Sequence, residues 1–289
     1  MKKILVPTDL SPVAELGLTL AVQIAKRTSA TISLVNFTRH PLATTFTAMG
    51  DIATKVDEEG NLYTIQLLNA QKEKLKELSV RYGIEAKIEY AIVDEEFKDG
   101  LDGYLRQEQI DLIVMGTTGE ENAHEAFIGN HTEQAIKIAA CPVLSVRDGF
   151  AISNFSNIVV ALTVIDDDKI KSGLRALHEL AKAFNSTVHI VHVIDRATDS
   201  SRDMNAYFSN LAIGTLLVPY TVSLLEDDED DVVETVLCFA KEVRAGLVAV
   251  IKDAPGHGFR IFSHHFSDRA VKEEGRPVFT VNSNNQYIV

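Results

Sequence analysis

Short apolar runs alternate with longer amphipathic stretches along the whole chain, and the alternation runs through twice. "KKILVPTDLSPVAELGLTLAVQIAKRTSATISLVNF" opens the first half, and "SNIVVALTVIDDDKIKSGLRALHELAKAFNSTVHIVHV" repeats its order of elements in the second. Each segment has a β-branched run, a polar turn, an amphipathic helix and a second strand led in by a Ser/Thr pair. The halves also close alike, "HTEQAIKIAACPVLSV" against "FSDRAVKEEGRPVFTV", with Pro142 and Pro277 marking where a helix has stopped and a last strand begins. Between them "RDGFAISNFSN" carries linker residues. The pattern predicts two tandem copies of one α/β domain, residues 1–148 and 152–289.

In the first copy, strands are expected at Ile4–Thr8, Thr31–Phe37, Glu85–Ile92, Asp111–Gly116 and Val143–Val146. Most are continuous apolar runs, as strands buried on both faces require. Helices are expected at about 12–27, 60–82, 96–108 and 130–139, the first with Ser11 as N-cap and Pro12 in its first turn. Such alternation makes a doubly wound, mostly five-stranded parallel sheet with helices on both faces, which binds ligands beyond the carboxyl ends of its strands. The turn Pro7–Ser11 and the loop from Gly116 to Asn130 sit at that end. In the second copy a shorter helix near Ser201–Leu211 replaces the long middle one, followed by a strand near Leu217–Leu225 and a helix around Asp230–Arg244. The closing strands Val143–Val146 and Val278–Val281 are the expected contact between the copies.

A length of 289 residues, nearly twice the common ~150-residue domain, agrees with two units. The net charge of −13 argues against nucleic acid or an anionic membrane as a general partner. Cys141 and Cys238 have no metal or redox spacing and read as small buried hydrophobes kept reduced. The opening apolar run is cut at once by Pro7 and Asp9, so it reads as a strand and not a leader. With no segment of ~18 apolar residues, a soluble, cytoplasmic protein is expected.

Gly116, Gly119 and Gly129 are the candidate chemistry. Gly129 precedes a helix whose first N–H groups favour an anion, and without a Cβ it lets a phosphate approach. Asp9 at the first strand tip is placed to accept hydrogen bonds from an adenine amino group or a ribose hydroxyl, and Phe37 at the second to cover a base. These stretches resemble the universal stress protein family: "KKILVPTDLS" its opening strand and turn, "DLIVMGTTG" with the later "GN" its G-x2-G-x9-G-(S/T) nucleotide loop, and "CPVLSV" its closing strand. The resemblance implies two Rossmann-like domains (adenine nucleotide alpha hydrolase-like) packed as an internal pseudo-dimer, pairing of two such chains, and a stress-response role. It also implies adenine-nucleotide binding, ATP with or without Mg²⁺, by Pro7, Thr8, Asp9, Gly116, Gly119, Gly129, Asn130 and His131, with Phe37 near the base. Asn130 departs from the family's Ser or Thr. It either gives its amide to phosphate or, with Glu133, forms a capping box in "NHTE".

Counting back from the shared last helix puts Ile251, Ala254, His264 and His265 where the first copy has its glycines and Asn130, and Thr163 where it has Asp9. No nucleotide is expected there. The cluster His257, His264, His265, Asp253 and Asp268 has no closed zinc spacing, and Ser263 or Ser267 lacks a nucleophile elbow. "EDDEDD" reads as a solvated helix start, and His189 and His192 fall on opposite strand faces. No catalytic residue is assigned; a slow ATPase using Asp9 or His124 with Mg²⁺ is the most the loop allows. Two other readings stand beside nucleotide binding. One is a nucleotide-free interaction protein with a structural glycine loop. The other is a carrier of a different small molecule beneath residues 38–60.

Overall fold

The computed structural model describes residues 1–39, 45–46, 52–53, 58–117, 130–147, 155–163, 166–194, 199, 203–226, 231–252 and 276–282. The first half supplies β1 (Lys3–Pro7), α1 (Pro12–Thr28), β2 (Thr31–Phe37), a short antiparallel pair β3 (Thr45–Phe46) and β4 (Ile52–Ala53), and α2 (Glu58–Gly83). It continues through β5 (Ile88–Val93), α3 (Phe97–Gln107), β6 (Leu112–Gly116), α4 (Asn130–Ile138) and β7 (Val143–Val146). The second half supplies β8 (Asn157–Ala161), α5 (Asp167–Phe184), β9 (Thr187–Val193) and α6 (Met204–Ala212). It ends with β10 (Tyr220–Leu225), α7 (Val232–Glu242), β11 (Leu247–Lys252) and β12 (Val278–Asn282).

The main sheet runs β10-β9-β8-β11-β12-β7-β6-β1-β2-β5. Every pairing in it is parallel except β12 with β7, where Phe279 faces Leu144. Each half therefore adds five strands in the same relative order, and their last strands join them. The expected contact between closing strands is thus present; the junction at 148–154 lies outside the described residues.

Alternation along each strand divides the apolar side chains between two faces. Ile4, Val6, Ile32, Leu34, Leu112 and Val114 join a core that includes Leu18 of α1 and Leu174 of α5 and is continuous across both halves. Leu5, Val35, Ile113 and Met115 point the other way, into a cluster with Phe97 and Leu101 of α3 and Ala135 and Ile136 of α4. Two strands begin later than their apolar patterns suggest. The amides of Glu85 and Ala86 both bond to Tyr82 O, closing a turn off α2 before β5. The amide of Leu217 bonds to His178 Nδ1 of α5, and Pro219 stands between it and β10.

Candidate nucleotide site

The turn after β1 is held by its own polar groups. Thr8 Oγ1 accepts from the amide of Leu10 at 3.0 Å and Asp9 Oδ1 from that of Ser11 at 2.9 Å. Leu10 takes the left-handed φ of 66°, and Ser11 Oγ then caps α1 by accepting from the Ala14 amide at 3.2 Å. Beneath the turn, Thr8 N bonds to Val35 O and the buried Asn36 amide donates to Thr8 O at 2.7 Å. The tip of β1 is fixed to that of β2, with the Asp9 carboxylate left exposed.

Pro7, Thr8, Asp9, Phe37, Gly116 and His131 line one cleft of about 210 Å³. Small-molecule pockets commonly span ~300–1,000 Å³, so the described residues enclose less than a typical small-molecule pocket. Asn130 opens α4, and its side chain lies outside the description. Gly119, Gly129 and His124 are outside the described residues, as are Ala254, His257, His264 and His265 with the acids and serines around them. Among the described residues no group of three or more His, Cys, Asp or Glu is arranged to hold a metal.

Gly116 meets the protein itself. A Cβ there would stand 1.8 Å from the Val13 carbonyl oxygen, in the first turn of α1. Thr117, directly after it, continues the ladder by donating to Val146 O and is buried in the cleft wall.

The opposite wall is aromatic. Phe37 meets Phe97 edge-on, with centroids 5.6 Å apart at 81°, and meets Tyr104 at 6.1 Å and 90°. The His131 ring stacks on Phe97 at 4.4 Å and 29°. Phe97 and Thr132, neither singled out by the sequence, complete this wall. Phe97 was findable as the first apolar residue of α3, and Thr132 as a hydroxyl in the first turn of α4. The ends of the cleft differ electrically: a carboxylate at the β1 tip, and at α4 the positive end of a helix dipole. Lys3 lies at the other end of its strand, paired with Glu108 at 2.7 Å, a hydrogen bond that raises its pKa.

In the second half the same framework carries different side chains. Gly116 pairs with Val146 and Ile251 with Val281, so strand register puts Ile251 in the place of Gly116. The Ile251 side chain is buried and packs so closely on α5 that a Cβ on Gly173 would come within 2.4 Å of it. Leu162 stands for Thr8, its amide bonding to Val191 O as that of Thr8 bonds to Val35 O. His192 stands for Asn36: its Nδ1 lies 2.9 Å from Leu162 O and its Nε2 2.8 Å from the buried Asp199 carboxylate. His189 turns to the other face, beside Phe239, and bonds to Thr221 and Asn157.

Residues 1–147 match the model of the universal stress protein family. The chain is 28% identical over 155 residues to universal stress protein YxiE of Bacillus subtilis, covering 50% of this chain and 98% of that protein. It is 30% identical over 149 residues to universal stress protein MJ0531 of Methanocaldococcus jannaschii, covering 50% and 82%. Its fold is similar over nearly its whole length to the crystal structure of a universal stress protein from Archaeoglobus fulgidus, with TM-score 0.64, 17% identity, and 97% and 98% of the two chains covered.

Proposed function

The chain belongs to the universal stress protein family, and we propose that its first half binds ATP or another adenine nucleotide in the cleft at the carboxyl ends of β1, β2 and β6. One observation carries the reading: the turn Pro7–Asp9, Phe37, Gly116 and the start of α4, remote in sequence, line a single cleft. Its polarity sets the orientation. Phosphates lie toward α4, where first-turn amides and the dipole favour anions, and the nucleoside turns its donors toward Asp9. Pro7, Thr8, Asp9, Phe37, Gly116, Gly119, Gly129, Asn130 and His131 are the proposed site, and Mg²⁺ accompanies the phosphates.

The second half, with Ile251 and His192 in place of Gly116 and Asn36, serves as scaffold or regulator in this reading. The protein acts in a stress response, and two chains pair. A second reading, a nucleotide-free interaction protein, has its own support, because Val13 accounts for Gly116 without a ligand.

Isothermal titration of ATP with Mg²⁺ tests the proposal, on the wild type and on Asp9→Ala, whose fold is checked by circular dichroism. One site per chain is expected, weakened in the variant. No heat, together with no co-purifying nucleotide, would favour the second reading.

A further inference from the structure

We propose that His131 is a phosphate-binding side chain that Phe97 holds over the cleft, and that it makes binding of the phosphorylated ligand depend on pH. The inference rests on the nucleotide reading above. His131 lies in the first turn of the nine-residue α4, exposed on the cleft and stacked on Phe97. Phe97 is itself 9% exposed and braced edge-on by Phe37, so the ring that supports the imidazole is fixed by the core. Thr132 beside it is 2% exposed and lines the cleft, and its hydroxyl makes no hydrogen bond among the described residues. On the cleft wall, that hydroxyl is a further donor for a phosphate oxygen bound at this place.

An imidazole gains a second N–H and a positive charge near physiological pH, and a protonated ring also sits favourably over an aromatic face. A phosphate at α4 then receives a charge-assisted hydrogen bond in place of a neutral one. Among the described residues, Asp9 is the one other titratable group lining the cleft. On α4, Glu133 pairs with Lys137. On α3, Tyr104 packs into the core cluster, Asp102 pairs with Arg106, and Lys98 and Asp99 are exposed. β7 and β12, which also contact α4, carry no titratable side chain.

The experiment compares ATP and adenosine binding to wild type, His131→Phe and His131→Gln from pH 5.5 to 8.5. Phenylalanine keeps a ring on Phe97 and removes the donors; glutamine keeps a donor that does not titrate. The ratio of wild-type to variant affinity cancels protonation of the ligand itself. That ratio for His131→Phe is expected to be about tenfold at the acid end and to shrink as pH rises. For His131→Gln it follows the same slope with a smaller offset, and for adenosine, which has no phosphate, either ratio is expected to stay constant across the pH range. ATP binding by the wild type that His131→Phe leaves unchanged at every pH would overturn this proposal alone. No ATP binding by the wild type would overturn the nucleotide reading and this one together.

Discussion

The carbonyl oxygen of Val13 lies 1.8 Å from where a Cβ of Gly116 would stand, and the amide nitrogen of Gly116 lies 2.7 Å from where a Cβ of Gly17 would stand. The two glycines let the first turns of α1 rest directly on the end of β6. Since Val13 presents backbone, a side chain at residue 116 cannot be met by rotating something aside. Gly116→Ala is expected to cost at least ~1–3 kcal/mol as an overpacked contact, read as a lower urea midpoint with unchanged slope. An unshifted midpoint would show that the contact gives way freely.

In the second half the corresponding space holds the Ile251 side chain against Gly173. Ile251→Ala is expected to destabilise by about 2–5 kcal/mol, as truncation of a buried aliphatic does. It should create no second nucleotide site, because Thr163 and His192 remain. Urea denaturation and ATP stoichiometry measured on the same sample check both statements.

Asn36→Leu removes the donor from the buried Thr8 carbonyl. Leaving that oxygen unpaired is expected to cost ~1–3 kcal/mol. It also frees the turn that carries Asp9, so ATP affinity should fall while the enthalpy of unfolding shows an intact core. Equal affinity in the variant would mean that the turn keeps its shape without Asn36.

Burial lowers the pKa of His189 below that of a free imidazole. In the unfolded chain this histidine takes up a proton near pH ~6.5, whereas the folded protein resists it to lower pH. The unfolded state thus binds more protons between the two values, so stability is full above ~6.5 and declines as pH falls through that window. His189→Gln is expected to be flatter between pH 7.5 and 5.5 in chemical denaturation. Parallel curves would remove His189 from the account.

Cys141 is buried as expected, and burial pushes its thiol pKa up to about 12; Cys238, also expected to be buried, is instead exposed on α7. Alkylation at pH 8 should therefore modify Cys238 in the native protein and reach Cys141 only after denaturation, since the thiolate is the reactive form. Mass spectrometry of the native reaction decides it: rapid labelling of Cys141 would mean that its core opens readily.

Apolar periodicity by itself determined that the chain is two runs of one strand-and-helix order, because strands buried on both faces must be apolar throughout while their helices need only one apolar stripe. Ser11 and Pro12 likewise announced the start of α1 through local chemistry. The sequence also named part of the cleft, Pro7, Thr8, Asp9, Phe37 and Gly116, since residues at strand tips share an end of the sheet whatever the packing. What takes up the room above Gly116 was decided only by the tertiary structure. A glycine records that a Cβ does not fit and says nothing of what displaces it, and here that is the backbone of another helix. The Phe97–His131 stack, the exchange of Asn36 for a buried His192–Asp199 pair and the antiparallel seam of β7 with β12 are of the same kind. Each joins side chains or strands that no local pattern relates, so each exists only once the sheet has brought them together.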